Sequence, residues 1–91
     1  MSEITGKVIK LGQERSFSKK SGETVNEVQL IVEDTSGKFP KKLALTCSGE
    51  TYQFAKESRI GDNVKIQYNI ESREWQEKWF TECKAWKAAR V

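Results

Sequence analysis

The chain contains no histidine, a single proline and only two cysteines among its 91 residues. Without histidine there is no Ser-His or Cys-His nucleophile pair and no HExxH zinc signature. Cys47 and Cys83 cannot by themselves complete a tetrahedral zinc site. In a chain without export signals they are expected to be reduced, buried small residues rather than a disulfide pair. The glycines at positions 6, 12, 22, 37, 49 and 61 are dispersed, which removes both a phosphate-cradling P-loop and a GxGxxG turn. No catalytic residue, metal site or cofactor site is assigned, and the chain is expected not to be an enzyme. Long apolar runs are missing too: Leu30-Ile31-Val32 is far too short to span a bilayer, and the opening MSEITGKV lacks the apolar region of a secretory signal. A soluble, cytoplasmic protein without a membrane partner is expected.

What the chain does have is concentrated in its last third. Trp75, Trp79 and Trp86 are interleaved there with Arg73, Lys78, Lys84 and Lys87. Aromatic faces alternating with cations suit the stacking of unpaired bases and the neutralisation of the phosphates between them. Sixteen Lys and Arg against thirteen Asp and Glu leave a net charge of only +3, so nucleic-acid affinity has to come from clustering and stacking rather than from bulk charge. With 36% hydrophobic residues, the chain can bury one small core and is expected to form a single domain over residues 1–91.

Alternation of apolar and polar residues dominates the pattern. Ile4, Gly6 and Val8 alternate with Thr5 and Lys7, and the pattern runs on through Leu11 as a long first strand. A loop from Gln13 to Thr24, rich in Ser, Gly and Lys, is expected next. Val28, Leu30 and Val32 form strand two, and Asp34-Thr35-Ser36-Gly37 supplies a tight reversal. Leu43 and Leu45 mark strand three, with Phe39-Pro40 at its start, where proline is tolerated. Ser48 is placed as the N-cap of a short helix carrying Tyr52 and Ala55, which Gly61 stops. Val64, Ile66, Tyr68 and Ile70 alternate as strand four, and a last strand runs from about Lys78 to Lys87. Three strands, a helix and two strands is the order of an OB-fold: all-β with one short helix, a five-stranded Greek-key barrel with the helix between strands three and four. An SH3-like barrel is the structural rival; the helix position and long first strand favour the OB reading.

The run Ile70-Glu71-Ser72-Arg73-Glu74-Trp75, with Lys78-Trp79-Phe80-Thr81 and Ala85-Trp86-Lys87, resembles a family of small OB-fold proteins from bacteria and their phages catalogued as a domain of unknown function. The opening Glu3-Ile4-Thr5-Gly6-Lys7-Val8 and the Phe39-Pro40-Lys41-Lys42 step are similar to it as well. The chain departs from the family at Gln76-Glu77, a tip without glycine where the family tends to have a tighter turn, and at Ser48-Gly49, where an aromatic often precedes the glycine. The resemblance implies likeness to single-stranded DNA-binding proteins.

In an OB barrel the loops joining strands one to two and four to five flank a face on which oligonucleotides lie. The candidate nucleic-acid-binding residues are therefore Phe17, Lys19 and Lys20 in the first loop, Arg73, Trp75 and Lys78 in the second, and Lys41 and Lys42 where strand three begins. Lys38 and Arg15 weigh less and stay outside this set. Trp79 shares strand parity with Thr81, Cys83 and Ala85, the small set expected to point inward, so core packing and base contact are both open for it. Trp86, on the other parity, could stack a base, cover the barrel or meet a partner chain. The expected partner is single-stranded DNA, bound with weak sequence selectivity over about 4–16 nucleotides in replication or recombination, with RNA as a variant. The alternative is a protein-interaction module or homo-oligomeric scaffold using Trp86 and the outer side of strand five.

Overall fold

A computed structural model describes residues 2–91 of the chain. Its elements are β1 (Ser2–Ser18), β2 (Thr24–Asp34), β3 (Lys41–Ser48), α1 (Glu50–Glu57), β4 (Asn63–Trp75) and β5 (Lys78–Arg90). The strands close into a barrel in the order β1-β2-β3-β5-β4, with α1 between β3 and β4 as the pattern predicts. The alternating apolar residues supply the interior: Ile4, Val8, Val28, Leu30, Val32, Leu45, Cys47, Val64 and Ile66 are buried together with Ala55 of α1 and Ala85 of β5. The Cys47 thiol is pushed up to about 11 by that burial. Cys83 is half-buried, and both cysteines are free.

One strand serves both halves of the barrel. β1 pairs antiparallel with β4 over its first residues, from Ser2↔Tyr68 to Lys7↔Asn63, and with β2 from Lys7↔Glu33 to Ser18↔Thr24. Register shifts between Val8 and Lys10 and between Leu11 and Glu14 bend it from one partner to the other. Gly6 sits at a close approach of β1 to β2: a Cβ there would lie 2.2 Å from the Glu33 carbonyl oxygen. The barrel closes at its weakest seam through a short parallel pairing of β3 with β5, Leu45↔Cys83 and Thr46↔Lys84. Beside that seam α1 packs on β2, β3 and β5.

Three local features differ from expectation. The segment expected to be a loop from Gln13 is strand as far as Ser18, so the β1–β2 connection shrinks to a turn around Lys19–Glu23. The helix N-cap is Gly49, with φ 61° and no side-chain cap bond. Ser48 is capped in turn by the buried Thr51, whose hydroxyl donates to the Ser48 carbonyl at 2.8 Å and accepts from its N–H at 3.0 Å. The helix ends at Ser58, before Gly61, whose φ of 98° serves the turn into β4. Finally, β4 and β5 continue beyond the barrel as a two-stranded ribbon, paired without interruption from Tyr68↔Ala85 to Trp75↔Lys78. Gln76 and Glu77 at its tip have φ of 51° and 64°, the pattern of a type I′ hairpin turn. The turn is tight even though neither residue is glycine.

Candidate functional site

Two ribbons stand over the outer face of the barrel. Opposed residues of an antiparallel ladder share a face, so the register sorts every side chain on them. On the β1–β2 hairpin, Arg15 opposes Glu27 and Phe17 opposes Val25, which puts Arg15 and Phe17 on one face. On the β4–β5 ribbon, Arg73 opposes Phe80 and Trp75 opposes Lys78, so these four share one side. Between the two lies a groove of about 200 Å³, with Gln29 and Thr46, a cross-strand pair of β2 and β3, among its floor residues. Arg15 and Glu27 line it from the hairpin, and Arg73, Phe80 and Glu82 from the ribbon. A hollow lined by Arg73, Glu74, Trp75 and Phe80 continues it along the ribbon.

The aromatic rings here have no core to fill. Trp75 is 61% exposed and Phe80 47%, and they are diagonal neighbours on one face, within mutual reach. Phe17, 44% exposed, stands two residues beyond Arg15 toward the hairpin tip. The cations differ in how free they are. Arg15 Nε donates to the Glu27 carboxylate at 2.7 Å, and this bond, with the carboxylate's charge, holds the guanidinium yet more firmly protonated. Arg73 and Lys78 make no ion pair among the described residues.

Of the residues singled out from sequence, Arg73, Trp75 and Lys78 come together on this side of the ribbon, with Phe17 on the same face as the groove-lining Arg15. Lys19 and Lys20 sit in the hairpin turn, and Lys19 borders a different recess, beside Gly49, Tyr52 and Gln53 and 3.9 Å from the Glu23 carboxylate. Lys41 and Lys42 oppose Asp34 and Glu33 at the far end of the β2–β3 ladder, about 13–17 Å along the strand from Thr46 at 3.3 Å per residue. They do not line the groove. Trp79 is not a core residue: it opposes Glu74 on the other side of the ribbon and is 68% exposed. The parity argument holds for Ala85 and Cys83, but beyond them the ribbon has left the barrel and both its faces meet solvent. Trp86 falls at a register shift opposite Gln67 and Tyr68. It borders a separate hollow with Glu50, Thr51 and Phe54 of α1, so it covers the barrel beside the helix rather than facing the groove.

The sequence pattern set Arg15 aside as a weaker cation and gave no site role to Phe80, Glu27 or Glu82. The signal for Phe80 was its place opposite Arg73 once the hairpin tip is set at Gln76-Glu77. Glu27 and Glu82 carried none, since a glutamate on the polar side of a strand reads as an ordinary solvated charge.

Residues 3–89 match the sequence profile of a family described as Domain of unknown function (DUF3127). The chain belongs to this family. The resemblance read from the Trp75 and Trp86 segments is thereby borne out, and the family's fold is the one described above. No curated protein is significantly similar to the chain. Among solved structures it is similar to the second OB-fold domain of replication protein A from Methanococcus maripaludis, at 18% identity with a TM-score of 0.68, covering 98% of this chain and 81% of that one. It is likewise similar to the second single-stranded DNA-binding protein of Mycobacterium smegmatis, at 14% identity and TM-score 0.65, over 99% and 84% of the chains. The small single-stranded DNA-binding protein of Streptomyces coelicolor superposes with TM-score 0.59 at 13% identity, over 99% and 90%. At these identities the likeness establishes the OB-fold. No helix among the described residues is long and apolar enough to cross a membrane.

Proposed function

We propose that this family member binds single-stranded DNA, with weak sequence selectivity, in the groove between its two ribbons, and serves replication or recombination as a binding protein rather than as an enzyme. The observation that carries the reading is that one side of the β4–β5 hairpin gathers exposed Trp75 and Phe80 with Arg73 and Lys78, which make no ion pair among the described residues, beside an open groove whose other wall comes from the distant β1–β2 hairpin. Stacking contributes about 1–3 kcal/mol per base, more than a screened surface cation does. The rings therefore set the affinity and the cations set the path of the backbone. Two of the proteins sharing this architecture are single-stranded DNA-binding proteins and a third is a domain of replication protein A, which supports the reading.

The test is a titration of mixed-sequence oligonucleotides of graded length, followed by tryptophan fluorescence and gel shift, with duplex and RNA of matched sequence as competitors. The expected result is quenching with a site on the order of 4–16 nucleotides and a log–log salt slope of about −0.7 per phosphate neutralised. Unchanged emission together with an unshifted band at micromolar protein would remove the reading. RNA competing as well as DNA would widen it to single strands generally, because the 2′-hydroxyl is what separates the two.

A further inference from the structure

We infer that Glu27 and Glu82 make the groove select bases that carry an exocyclic amino group over thymine and uracil. The inference rests on the single-strand reading above and adds the class of base to it.

The charged side chains lining the groove are Arg15, Arg73, Glu27 and Glu82, and their formal charges cancel. Arg15 is already committed to Glu27, whose side chain is only 12% exposed. Glu82 is half-buried, lies close enough for its charge to act on Arg15, and makes no ion pair among the described residues. A phosphate running between these walls would meet a carboxylate on each side, with Arg15 already engaged, in a partly desolvated trough where like charges repel more strongly than in water. The cations without an ion-pair partner among the described residues, Arg73 and Lys78, stand farther out along the ribbon than Glu82, toward its tip. The backbone therefore follows the ribbon and turns its bases toward the floor.

An unpaired base presents its Watson–Crick edge, and an ionised carboxylate accepts hydrogen bonds but cannot donate them. Cytosine offers it the N4 amino group, adenine the N6 amino group, and guanine adjacent N1–H and N2 donors. Thymine and uracil hold their single imino donor between two carbonyls, whose lone pairs would face the carboxylate. Gln29 and Thr46, each both donor and acceptor, can satisfy the remaining edge of any base. Selection by this groove is by class of base rather than by sequence.

Oligo-dC and oligo-dU of matched length isolate the effect, since their bases differ only in an N4 amino donor beside an N3 acceptor against an O4 acceptor beside an N3–H donor, and have nearly the same ring to stack. Competition for a labelled mixed-sequence strand is measured by anisotropy slightly above neutral pH for the wild type, Glu27→Gln, Glu82→Gln and the double variant, with near-ultraviolet circular dichroism to confirm folding. The wild type is expected to bind oligo-dC at least about fivefold more tightly. In the double variant that preference should fall to within about twofold, with oligo-dU binding strengthened as the repulsion is removed. Equal affinity of the wild type for the two oligomers overturns the inference and leaves single-strand binding standing. A cytosine preference that survives in the folded double variant overturns the assignment to these carboxylates. Failure to bind either oligomer or the labelled strand overturns both.

Discussion

Replacing Phe80 by alanine separates binding from folding. The ring is 47% exposed and Trp75 beside it 61%, so neither is a core residue. Fully burying a phenylalanine is worth about 1.5–3 kcal/mol, and a half-exposed ring forfeits about half of that on truncation. A domain of this size should then lose about 4–8 °C in Tm for each kcal/mol. A base stacked on the ring contributes about 1–3 kcal/mol, which is about 5- to 150-fold in Kd at 1.36 kcal/mol per decade. Phe80→Ala should thus bind a labelled single strand at least about fivefold more weakly by anisotropy while still unfolding cooperatively, about 3–12 °C below the wild type. The adjacency of the two rings sharpens the test. If they sandwich or share a base, Trp75→Ala and Phe80→Ala together should cost less than the sum of the single losses, because neighbours that share a partner are not additive. A Kd within about twofold of wild type in the folded Phe80→Ala protein would refute the stacking argument.

Three further predictions concern the scaffold. Gly6→Ala would press a Cβ to 2.2 Å from the Glu33 carbonyl oxygen, a backbone atom in two paired strands, and should lower Tm by more than about 8 °C, as a strained core position does; an unchanged Tm would contradict the close approach of β1 and β2. Gln76→Asn with Glu77→Gly supplies the residues a type I′ turn prefers at positive φ and should raise Tm, by about 4–8 °C per kcal/mol relieved, whereas a fall would show that the tip side chains stabilise the ribbon. Glu14 accepts hydrogen bonds from the Tyr52 hydroxyl and from Lys56 Nζ, the latter at 2.9 Å, and these hold its carboxyl below the ordinary value of 4.5. A carboxyl depressed on folding stabilises the protein above its unfolded value and ceases to as pH falls through the folded one, so the Tm advantage of wild type over Glu14→Gln should be present near neutrality and shrink below pH 4.5; a gap independent of pH would contradict it.

The barrel was legible because its strands have one dry face. Val28, Leu30 and Val32, or Val64 and Ile66, alternate so cleanly that register and inward face follow directly. The ribbons were not legible for the opposite reason. From Gln13 to Ser18 and from Glu71 to Glu82 almost every side chain is exposed, so nothing in the pattern separates a paired strand from a loop, and the length of both hairpins is set by pairing that leaves no hydrophobic trace. The same blindness explains Trp79, whose parity was continued from Ala85 past the point where the barrel ends, and Trp86, which a register shift removes from the alternation altogether. Arg73, Trp75 and Lys78 could be found because aromatic and cationic residues stand out in a polar stretch. Glu27 and Glu82 could not, since only the folded register shows that they line a groove from its two sides.

Backbone amide chemical-shift mapping during titration with a short single-stranded oligonucleotide tests the central claim most directly. Saturable shifts should gather at Arg15, Glu27, Gln29 and Thr46 and along the ribbon at Arg73, Trp75, Phe80 and Glu82, leaving α1 and Trp86 unmoved. Shifts confined to the α1 side, to Lys41 and Lys42, or to no residue at all would contradict a binding groove between the two ribbons.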